Sequence, residues 1–280
     1  MAPVWFQNAL CSDADARLPV SERGFLLGDG LFETIRIRAG QPCLWSAHRQ
    51  RLTHGCDILG LPQPPWEIIE QQAIQALITA RHCVDGSMRL TWTRGSGGPR
   101  GLLPSGQETP TLLITVSPAA APSGFVLPGL SLITASVTRR NEFSPMSRLK
   151  SLNYGDGLLA RREAAAAGAD DAVLLNTQGR VAETSIASLF LYLEGRWLTP
   201  PVSEGALPGV RRQQILAAGL AEEAPLTPAS LASAGALVVT NALFVRQVAR
   251  CDGRLLPDPQ ATRRWEELAH DRLGTETPFD

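Results

Sequence analysis

Lysine is almost missing from this sequence. The 26 Lys and Arg residues comprise 25 arginines and one lysine, Lys150. Arginine can serve as almost any surface cation, but it does not readily lose a proton to become a nucleophile. Keeping one lysine among so many arginines therefore favours covalent chemistry at that amine, most commonly formation of a Schiff base with a carbonyl compound. The alternative is an arginine-biased composition in which one lysine remains by chance.

Other features are scarce too. The formal net charge is only −1, so no basic surface that would bind nucleic acid is indicated. Because no apolar run approaches the roughly 18 residues of a membrane span and the first residues do not resemble a signal peptide, we expect a cytoplasmic protein without membrane contact. Five scattered cysteines without a Cys-x-x-Cys pair fit reduced thiols. Four histidines form no ligand cluster, so no metal is expected.

The length and the hydrophobic content, 280 residues and 44%, suit two ordinary domains with well-filled cores. Strand-like alternation and helix-like spacing are mixed along the chain, which predicts an α/β (α+β) fold. A stretch of small residues flanked by prolines, residues 117–124, is the best candidate for a linker. We therefore predict a small N-terminal domain over 1–117, a linker over 118–124 and a larger C-terminal domain over 125–280.

Individual elements are predicted by their patterns. In the first half we expect a hairpin of strands 31–38 and 43–45, a helix from an N-cap at Ser46 to Leu59, a helix over 66–81, and strands at 4–6, 88–94 and 111–116. In the second half we expect strands at 132–135, 172–176, 181–184, 188–192 and 237–243, with helices over 157–167, around 215–216 and over 259–273.

Several polar residues stand out in these elements. Arg94 and Arg100 flank a glycine-rich loop that could fold over an anionic substrate or be only a mobile turn. Glu183 lies among small and apolar residues, where a half-buried carboxylate needs a partner; the alternative is a solvated strand edge. Pro208 and Gly209 precede a helix whose first N–H groups could bind phosphate, although many helices begin this way without an anion.

Taken together and in order, six motifs resemble the class IV aminotransferases, the fold-type-IV enzymes that depend on pyridoxal 5'-phosphate (PLP). The motifs are Gly28-Asp29-Gly30-Leu31-Phe32-Glu33-Thr34, Ala47-His48-Arg49-Gln50-Arg51-Leu52, Lys150-Ser151-Leu152-Asn153, Gly179-Arg180-Val181-Ala182-Glu183, Leu207-Pro208-Gly209-Val210 and Thr240-Asn241-Ala242-Leu243. The resemblance implies two domains with PLP at their interface, a small-molecule amine as substrate, and a homodimer.

The resemblance also implies roles for residues. Lys150 would hold PLP as a Schiff base and later shuttle the proton, and Glu183 would pair with the pyridine nitrogen. Arg51 would bind the phosphate as a bidentate donor. Tyr154 would reach the phenolic oxygen of the cofactor, although its spacing from the lysine is one residue shorter than in the branched-chain enzymes.

The remaining phosphate contacts would come from the backbone N–H groups of Val210 and Arg211 and from the turn at Asn241 and Ala242. Family members often place threonine where Arg211 and Ala242 stand, so side-chain contacts at these two positions are not implied. Phe32 would line the substrate site, where D-amino-acid aminotransferases tend to carry tyrosine.

Within the family, three segments resemble 4-amino-4-deoxychorismate lyase, which would place the chain in folate biosynthesis. They are Thr93-Arg94-Gly95-Ser96-Gly97-Gly98, Ser46-Ala47-His48 with Gln50-Arg51-Leu52, and Asn241-Ala242-Leu243. That enzyme forms 4-aminobenzoate and pyruvate, and Arg94 or Arg100 would hold a substrate carboxylate. Lys150-Ser151-Leu152-Asn153 also resembles the D-amino-acid aminotransferases, so a D-amino-acid or branched-chain aminotransferase stays open. A non-catalytic binding protein on this fold is a third alternative, which the intact lysine disfavours.

Overall fold

The computed structural model describes residues 1–99, 101–119, 129–258, 260–263 and 265. These residues form two compact units, each with its own sheet. The first unit contains residues 1–119 and also Lys150–Asn153, and the second contains residues 129–149 and those from 154 onward. The predicted spans differ from these units at one place, because Lys150–Asn153 groups with the first unit. The mixed α/β class is confirmed, whereas the linker remains a prediction because residues 120–124 lie outside the described residues.

The first unit contains a six-stranded antiparallel sheet in the strand order β2-β1-β6-β5-β3-β4. Its strands are β1 (Pro3–Phe6), β2 (Ala9–Ser12), β3 (Gly30–Arg38), β4 (Gln41–Pro42), β5 (Gly86–Ser96) and β6 (Thr109–Pro118). Its helices are α1 (Arg23–Leu27), α2 (Trp45–Leu59), α3 (Trp66–Ile68) and α4 (Ile74–Ala80), the last two joined by a π-helical turn, Ile69–Ala73.

Strand β3 alternates between the two faces of this sheet. Leu31, Ile35 and Ile37 are almost fully buried in the core, whereas Thr34 and Arg36 on the opposite face are half-buried. The cause is the period-two pattern of the sequence, which turns successive side chains to opposite faces. Helix α2 covers the core face, and its Gly55 lets it approach closely, since a Cβ there would lie 2.8 Å from a methyl carbon of Leu31.

The predicted hairpin forms, but its second strand does not lie at Cys43-Leu44-Trp45: β4 pairs with β3 at Gln41 and Pro42, and only the Cys43 N–H extends the pairing, by donating to the Arg36 carbonyl at 2.8 Å. Strand β4 ends at Pro42, and helix α2 already begins at Trp45. The N-cap of α2 is Leu44, not Ser46. The backbone of Leu44 is in the left-handed region at φ 55°, and its side chain makes no capping hydrogen bond. The end of α2 agrees with the prediction, because Gly60 adopts φ 61° and its N–H donates back to carbonyls of the last turn.

The second unit contains a nine-stranded mixed sheet in the order β12-β11-β10-β13-β14-β7-β8-β9, with β15 paired to β14. The strands are β7 (Leu130–Thr134), β8 (Asp171–Leu175), β9 (Val181–Thr184), β10 (Ser188–Leu193), β11 (Arg196–Thr199), β12 (Glu222–Glu223), β13 (Ala236–Thr240), β14 (Val245–Cys251) and β15 (Arg254–Leu255). The helices are α5 (Gly155–Ala166), α6 (Val210–Ala217) and α7 (Pro228–Ser233), with 3-10 turns at Pro145–Arg148 and Val202–Glu204.

Aliphatic side chains of β7, β8, β10 and β13 form the main core of this unit. On another side of the sheet, Trp265 packs against Phe190 and Trp197 with ring centroids 5.7 and 5.4 Å away. Residues 260–263 and 265 are helical, as predicted; the rest of the predicted last helix lies outside the described residues. Over the described part of the chain, no helix is long and apolar enough to cross a bilayer.

Candidate active site

The segment that carries Lys150 pairs with the beginning of β3. The Phe32 N–H donates to the Lys150 carbonyl at 2.9 Å, and the Leu152 N–H donates to the Gly30 carbonyl at 3.0 Å. Asn153 completes the attachment by donating from Nδ2 to the Gly28 carbonyl at 3.4 Å. Gly28 is required here because its φ is 65° and a Cβ would lie 2.7 Å from the side-chain oxygen of Asn153. The main chain of the lysine is therefore fixed by a short antiparallel ladder.

The Lys150 side chain extends over an aromatic ring. Its Nζ lies 4.4 Å from the centroid of the Phe32 ring, and the guanidinium carbon of Arg89 lies 3.8 Å from the same centroid. Both distances are within the range of a cation–π interaction. Phe32 is buried, Lys150 is half-buried and Arg89 is exposed. An amine and a guanidinium thus share one aromatic surface.

Behind this surface lies a buried cluster of Glu33, His48 and Arg51. The two oxygens of Glu33 accept from Arg51 Nε at 2.8 Å and from Nη2 at 2.5 Å, and Oε2 also lies 2.7 Å from His48 Nδ1. Glu33 and His48 are both 1% exposed. The predicted phosphate-binding arginine is therefore held along its Nε edge by a carboxylate in a bidentate pair.

Charge within this cluster follows from burial and contact. Burial alone would raise the pKa of Glu33, but the positive charge of Arg51 and the hydrogen bonds with Arg51 and His48 hold it below its ordinary value. For His48, burial lowers the pKa below its ordinary 6.5, with Arg51 and Lys150 acting in the same direction against the pull of Glu33. His48 is therefore neutral at pH 7. Since a carboxylate can only accept a hydrogen bond, the single ring proton is on Nδ1.

Arg94 is placed differently from the prediction. It is buried, and it donates from Nε and Nη2 to Asp29 at 2.7 and 3.2 Å and from Nη1 and Nη2 to the Gly60 and Leu59 carbonyls at 2.8 and 2.9 Å. Four of its five N–H donors are thus directed at internal acceptors. This speaks against the predicted contact between Arg94 and a substrate carboxylate, and gives Arg94 the role of joining β5 to the end of α2. Arg100 lies outside the described residues.

Asp29 also binds a second arginine. Arg23 donates from Nε to Asp29 Oδ2 at 2.9 Å and from its two terminal nitrogens to the Gly101 and Leu102 carbonyls at 2.9 and 2.6 Å. One carboxylate therefore neutralises two buried guanidinium groups, and one of these holds the loop that follows β5. This attachment fixes the far end of the glycine-rich loop that the sequence identifies.

In the second unit, Glu183 lies on β9 and is 8% exposed. Its Oε2 accepts from the Leu207 N–H at 3.0 Å, and its Oε1 lies 3.0 Å from Arg140 Nε. Arg140 is also anchored by donating to the Gly205 and Ser147 carbonyls. The alternative of a solvated strand edge is excluded by this burial. The carboxylate is an anion with a fixed orientation, and it forms an ion pair with Arg140.

Helix α6 begins directly after Gly209, as the Pro-Gly pair suggests. Gly209 is the N-cap at φ −64° and ψ 132°, and no side chain caps the first turn. A Cβ on Gly209 would lie 2.8 Å from Ser188 Oγ, so the helix start is in close contact with β10. Val210 and Arg211 in the first turn are buried. The first N–H groups of such a helix carry partial positive charge and attract anions.

The turn after β13 is stabilised by Asn241. Its Oδ1 accepts from the N–H groups of Leu243 and Phe244 at 2.9 and 3.2 Å, and its own N–H donates to the Phe244 carbonyl at 3.0 Å. Both groups of Asn241 stabilise the turn itself. Beside it, the hydroxyl of Thr240 is buried without a hydrogen-bond partner among the described residues.

Tyr154 belongs to the second unit and occupies the N-cap position of α5, where it is half-buried. Its side chain packs beside Gly157. The structure thus groups Phe32, Lys150 and Arg51 in the first unit, and places Tyr154, Glu183 and the two candidate phosphate elements in the second. No group of three or more side chains that could hold a metal occurs in the described part of the chain.

The family model for amino-transferase class IV matches residues 30–251. The chain belongs to the class IV aminotransferase family. It is therefore an enzyme, and its fold is that of the family.

Relatives within the family carry different activities in their names. The chain is 31% identical over 279 residues to a protein of Methanocaldococcus jannaschii named as a branched-chain-amino-acid aminotransferase, covering 96% of this chain and 95% of the relative. It is also 31% identical over 202 residues to the aminodeoxychorismate lyase of Vibrio harveyi, covering 71% and 72%. Among solved structures, an aminotransferase from Mycobacterium tuberculosis in its PLP-bound form superposes with a TM-score of 0.82 at 26% identity, covering 95% and 97%.

The donor set of this class IV aminotransferase suits PLP. Lys150 has an amine that can react with the aldehyde, Glu183 has a buried carboxylate that suits a protonated ring nitrogen, and the start of α6 presents N–H groups that attract an anion such as phosphate. The sequence analysis did not predict that His48 contacts Glu33, that Arg89 lies over the Phe32 ring, or that Arg140 pairs with Glu183. For His48 a signal was present, because its spacing of three from Arg51 puts both side chains on one face of α2. Arg89 and Arg140 carried no comparable signal.

Proposed function

We propose that the enzyme is a PLP-dependent 4-amino-4-deoxychorismate lyase that forms 4-aminobenzoate and pyruvate. The observation that carries this proposal is the surface in which the Lys150 amine and the Arg89 guanidinium flank the Phe32 ring. The substrate is a carboxylated, partly unsaturated ring that must lose a proton. The phenyl ring supports stacking, the guanidinium suits a carboxylate, and the amine suits proton transfer. Arg89 thereby replaces Arg94 as the candidate for carboxylate binding.

The cofactor would be held by residues that match the motifs of the family. Lys150 would bind its aldehyde carbon, Glu183 its pyridine nitrogen, and Arg51 its phosphate. When bound, PLP supplies an electron sink that stabilises negative charge formed on the substrate. Glu183 would keep the ring nitrogen protonated, since a buried carboxylate favours a cation beside it.

Further phosphate contacts would come from the N–H groups of Val210 and Arg211 at the start of α6. In the turn after β13 the Ala242 N–H is the proposed donor, with Asn241 shaping the turn. Tyr154 would contact the phenolic oxygen of the cofactor, and Phe32 the substrate ring. Arg100 remains a candidate for a second substrate carboxylate.

Within the reaction, Lys150 Nζ would carry the proton. It would take a proton from the ring carbon of the substrate as the carbon–oxygen bond to the enolpyruvyl group breaks. It would then return the proton to the terminal methylene carbon of that group, which leaves as pyruvate while the six-membered ring becomes aromatic. Atoms balance, because the products together have the composition of the substrate. Arg89 would hold the substrate carboxylate during this transfer.

An aminotransferase for branched-chain or D-amino acids with 2-oxoglutarate is the second candidate. The similarity to the Methanocaldococcus protein along almost the whole chain favours it, as does the Lys150-Ser151-Leu152-Asn153 segment. It would use the same Lys150, Glu183 and Arg51, so these residues do not distinguish the two reactions.

We further propose a homodimer in the cytoplasm. Phe25 and Leu26 on α1 are 76% and 58% exposed, and Leu102 and Leu103 on the following loop are 79% and 84% exposed. Arg23 connects these two segments through its bonds to the loop carbonyls. An exposed apolar patch of this kind favours a protein partner, and a second copy is the simplest one. The five free cysteines fit a reducing compartment.

The decisive experiment compares substrates on the PLP-loaded enzyme. One reaction contains aminodeoxychorismate and is monitored for 4-aminobenzoate and pyruvate in equal amounts. The other reactions contain L-leucine, L-glutamate or D-alanine with a 2-oxo acid and are monitored for amino transfer. Amino transfer without any 4-aminobenzoate would reject the lyase in favour of the aminotransferase. A protein that never binds PLP would reject both.

A further inference from the structure

Helix α2 contributes two residues to the buried cluster of the first unit, Arg51 and His48, while β3 contributes Glu33. Arg51 has a side-chain exposure of 11%, whereas the side chains of Glu33 and His48 are 2% and 1% exposed. Arg51 is thus the only one of the three with appreciable access to solvent. Glu33 and His48 lie behind it and cannot themselves contact a bound molecule without a rearrangement of the core.

The attraction between charges alone does not explain why Arg51 is paired with Glu33. The proposed ligand of Arg51 is a phosphate dianion, and a carboxylate 2.5 Å from the guanidinium reduces its attraction for any anion. The benefit is geometric. A bidentate pair fixes the plane of the guanidinium along its Nε edge, so Nη1, which lies outside that pair, keeps one direction.

His48 supplies the last constraint. Its Nδ1–H donates to the same Glu33 oxygen that accepts from Arg51 Nη2. Without that hydrogen bond, the Glu33 carboxylate could rotate and carry the guanidinium with it. Three groups therefore act in series, from imidazole to carboxylate to guanidinium.

We propose that Glu33 and His48 are positioning residues for the phosphate of the cofactor, acting through Arg51. The proposal rests on the proposed function only in that Arg51 binds the PLP phosphate, and it holds for a lyase and for an aminotransferase alike. It predicts that the contribution of Glu33 to PLP affinity exists only while Arg51 is present.

The test is a double-mutant cycle measured as the dissociation constant of PLP from the apoenzyme. We expect Arg51→Gln to weaken binding about a hundredfold and Glu33→Gln about tenfold, while Glu33→Gln adds less than twofold in the Arg51→Gln background. Equal effects of Glu33→Gln in both backgrounds would overturn the proposal. Arg49→Gln is the matched control, because Arg49 lies on the same helix but is paired with the partly exposed Glu70; it should leave the dissociation constant unchanged.

Substitutions of His48 keep the proposal testable if Glu33→Gln fails to fold. An asparagine side chain can place its N–H where Nδ1–H lies, whereas leucine cannot donate. His48→Leu should weaken PLP binding about tenfold and His48→Asn less than threefold, with apoenzyme melting temperatures recorded for both. Equal weakening by both variants, or no effect of either, would overturn the proposal while leaving the proposed function intact. Failure of the wild-type enzyme to bind PLP would instead overturn the proposed function.

Discussion

Arg140 and Glu183 form an ion pair in the second unit, with 3.0 Å between Arg140 Nε and Glu183 Oε1. The carboxylate proposed to keep a pyridine nitrogen protonated is thus already paired with a cation. Arg140 fixes the orientation of Glu183 and compensates its burial. The remaining Glu183 oxygen is held by the Leu207 N–H, directly before the start of α6. The proposed ring-nitrogen and phosphate contacts are therefore linked by one short stretch of main chain.

The first prediction concerns this pair. Arg140→Gln should lower the free energy of unfolding by about 3 kcal/mol, because it leaves a buried carboxylate without its cation. Chemical denaturation of the apoenzyme measures this. Arg139→Gln is the control, since the exposed Arg139 donates only to nearby backbone carbonyls and should change stability by less than about 0.5 kcal/mol. Equal stability of the two variants would show that the ion pair has no structural role.

Lys150 variants test the reactive amine. Lys150→Ala should abolish turnover, and Lys150→Arg should do so as well because a guanidinium does not readily lose its proton. Borohydride should attach PLP covalently to the wild-type protein and to neither variant, as read by the mass of the peptide containing residue 150. The melting temperature of the apo form should stay near that of the wild type. Turnover by Lys150→Arg would contradict the proposed proton carrier.

Substitutions of Arg94 and Arg89 should have different effects, the first on stability and the second on substrate binding. Arg94→Gln should lower the free energy of unfolding by about 3 kcal/mol, because Asp29 loses one of its two buried cations. Its effect on KM should be small. Arg89→Gln should leave stability almost unchanged but raise KM about tenfold, the loss of one charged contact to substrate. Urea denaturation measures the stability, and initial rates at varied substrate concentration measure KM. A raised KM for Arg94→Gln with an unchanged KM for Arg89→Gln would restore Arg94 as the substrate-binding residue.

Acid should weaken the fold through His48. Its pKa is lowered in the folded protein, so below pH 6.5 the unfolded chain binds a proton that the folded protein does not. The free energy of unfolding should therefore decrease as pH falls from about 6.5, with a slope of up to about 1.4 kcal/mol per pH unit from this group. His48→Asn should remove this part of the slope. His54→Asn, a change at an exposed position on the same helix, should not.

The proposed homodimer predicts a dependence on the exposed apolar patch. The double substitution Phe25→Asp and Leu103→Asp should convert a dimer into a monomer, because charges would be buried in the interface. Light scattering after size-exclusion chromatography measures the mass. An exposed change outside the patch, Val84→Asp, serves as the control. A wild-type protein that is monomeric at all concentrations would contradict the homodimer.

Periodic elements were predictable from the sequence, and special backbone conformations were not. Strand β3 and helices α2 and α5 follow from their spacing and from the glycines near their ends. The start of α2 could not be predicted from spacing, because Leu44 adopts a left-handed backbone conformation that a leucine side chain disfavours. The family and its reactive lysine were recognisable because six short motifs occur in order.

Side-chain partners across long stretches of sequence could not be predicted. Arg89 and Arg94 both lie on β5, but one is at an odd and the other at an even position, so their side chains leave the strand on different sides. Arg89 is exposed beside the Phe32 ring, and Arg94 is buried beside Asp29. A glycine-permitted irregularity in β5 after Thr93 adds to the difference, since Gly95 at φ 82° has no room for a side chain beside Thr109. The sequence shows the charges of such residues, but only the fold determines which of them become internal.

The ladder between the lysine segment and β3 joins residues that are 118 and 122 positions apart in the chain. A fragment that ends at residue 119 would contain the Phe32 ring without the amine, and one that begins at residue 129 would contain the amine without the ring. Neither half of the gene could therefore encode the pair alone. During synthesis, the amine can reach the Phe32 ring only after the ribosome has passed Lys150, when more than half of the chain has been made.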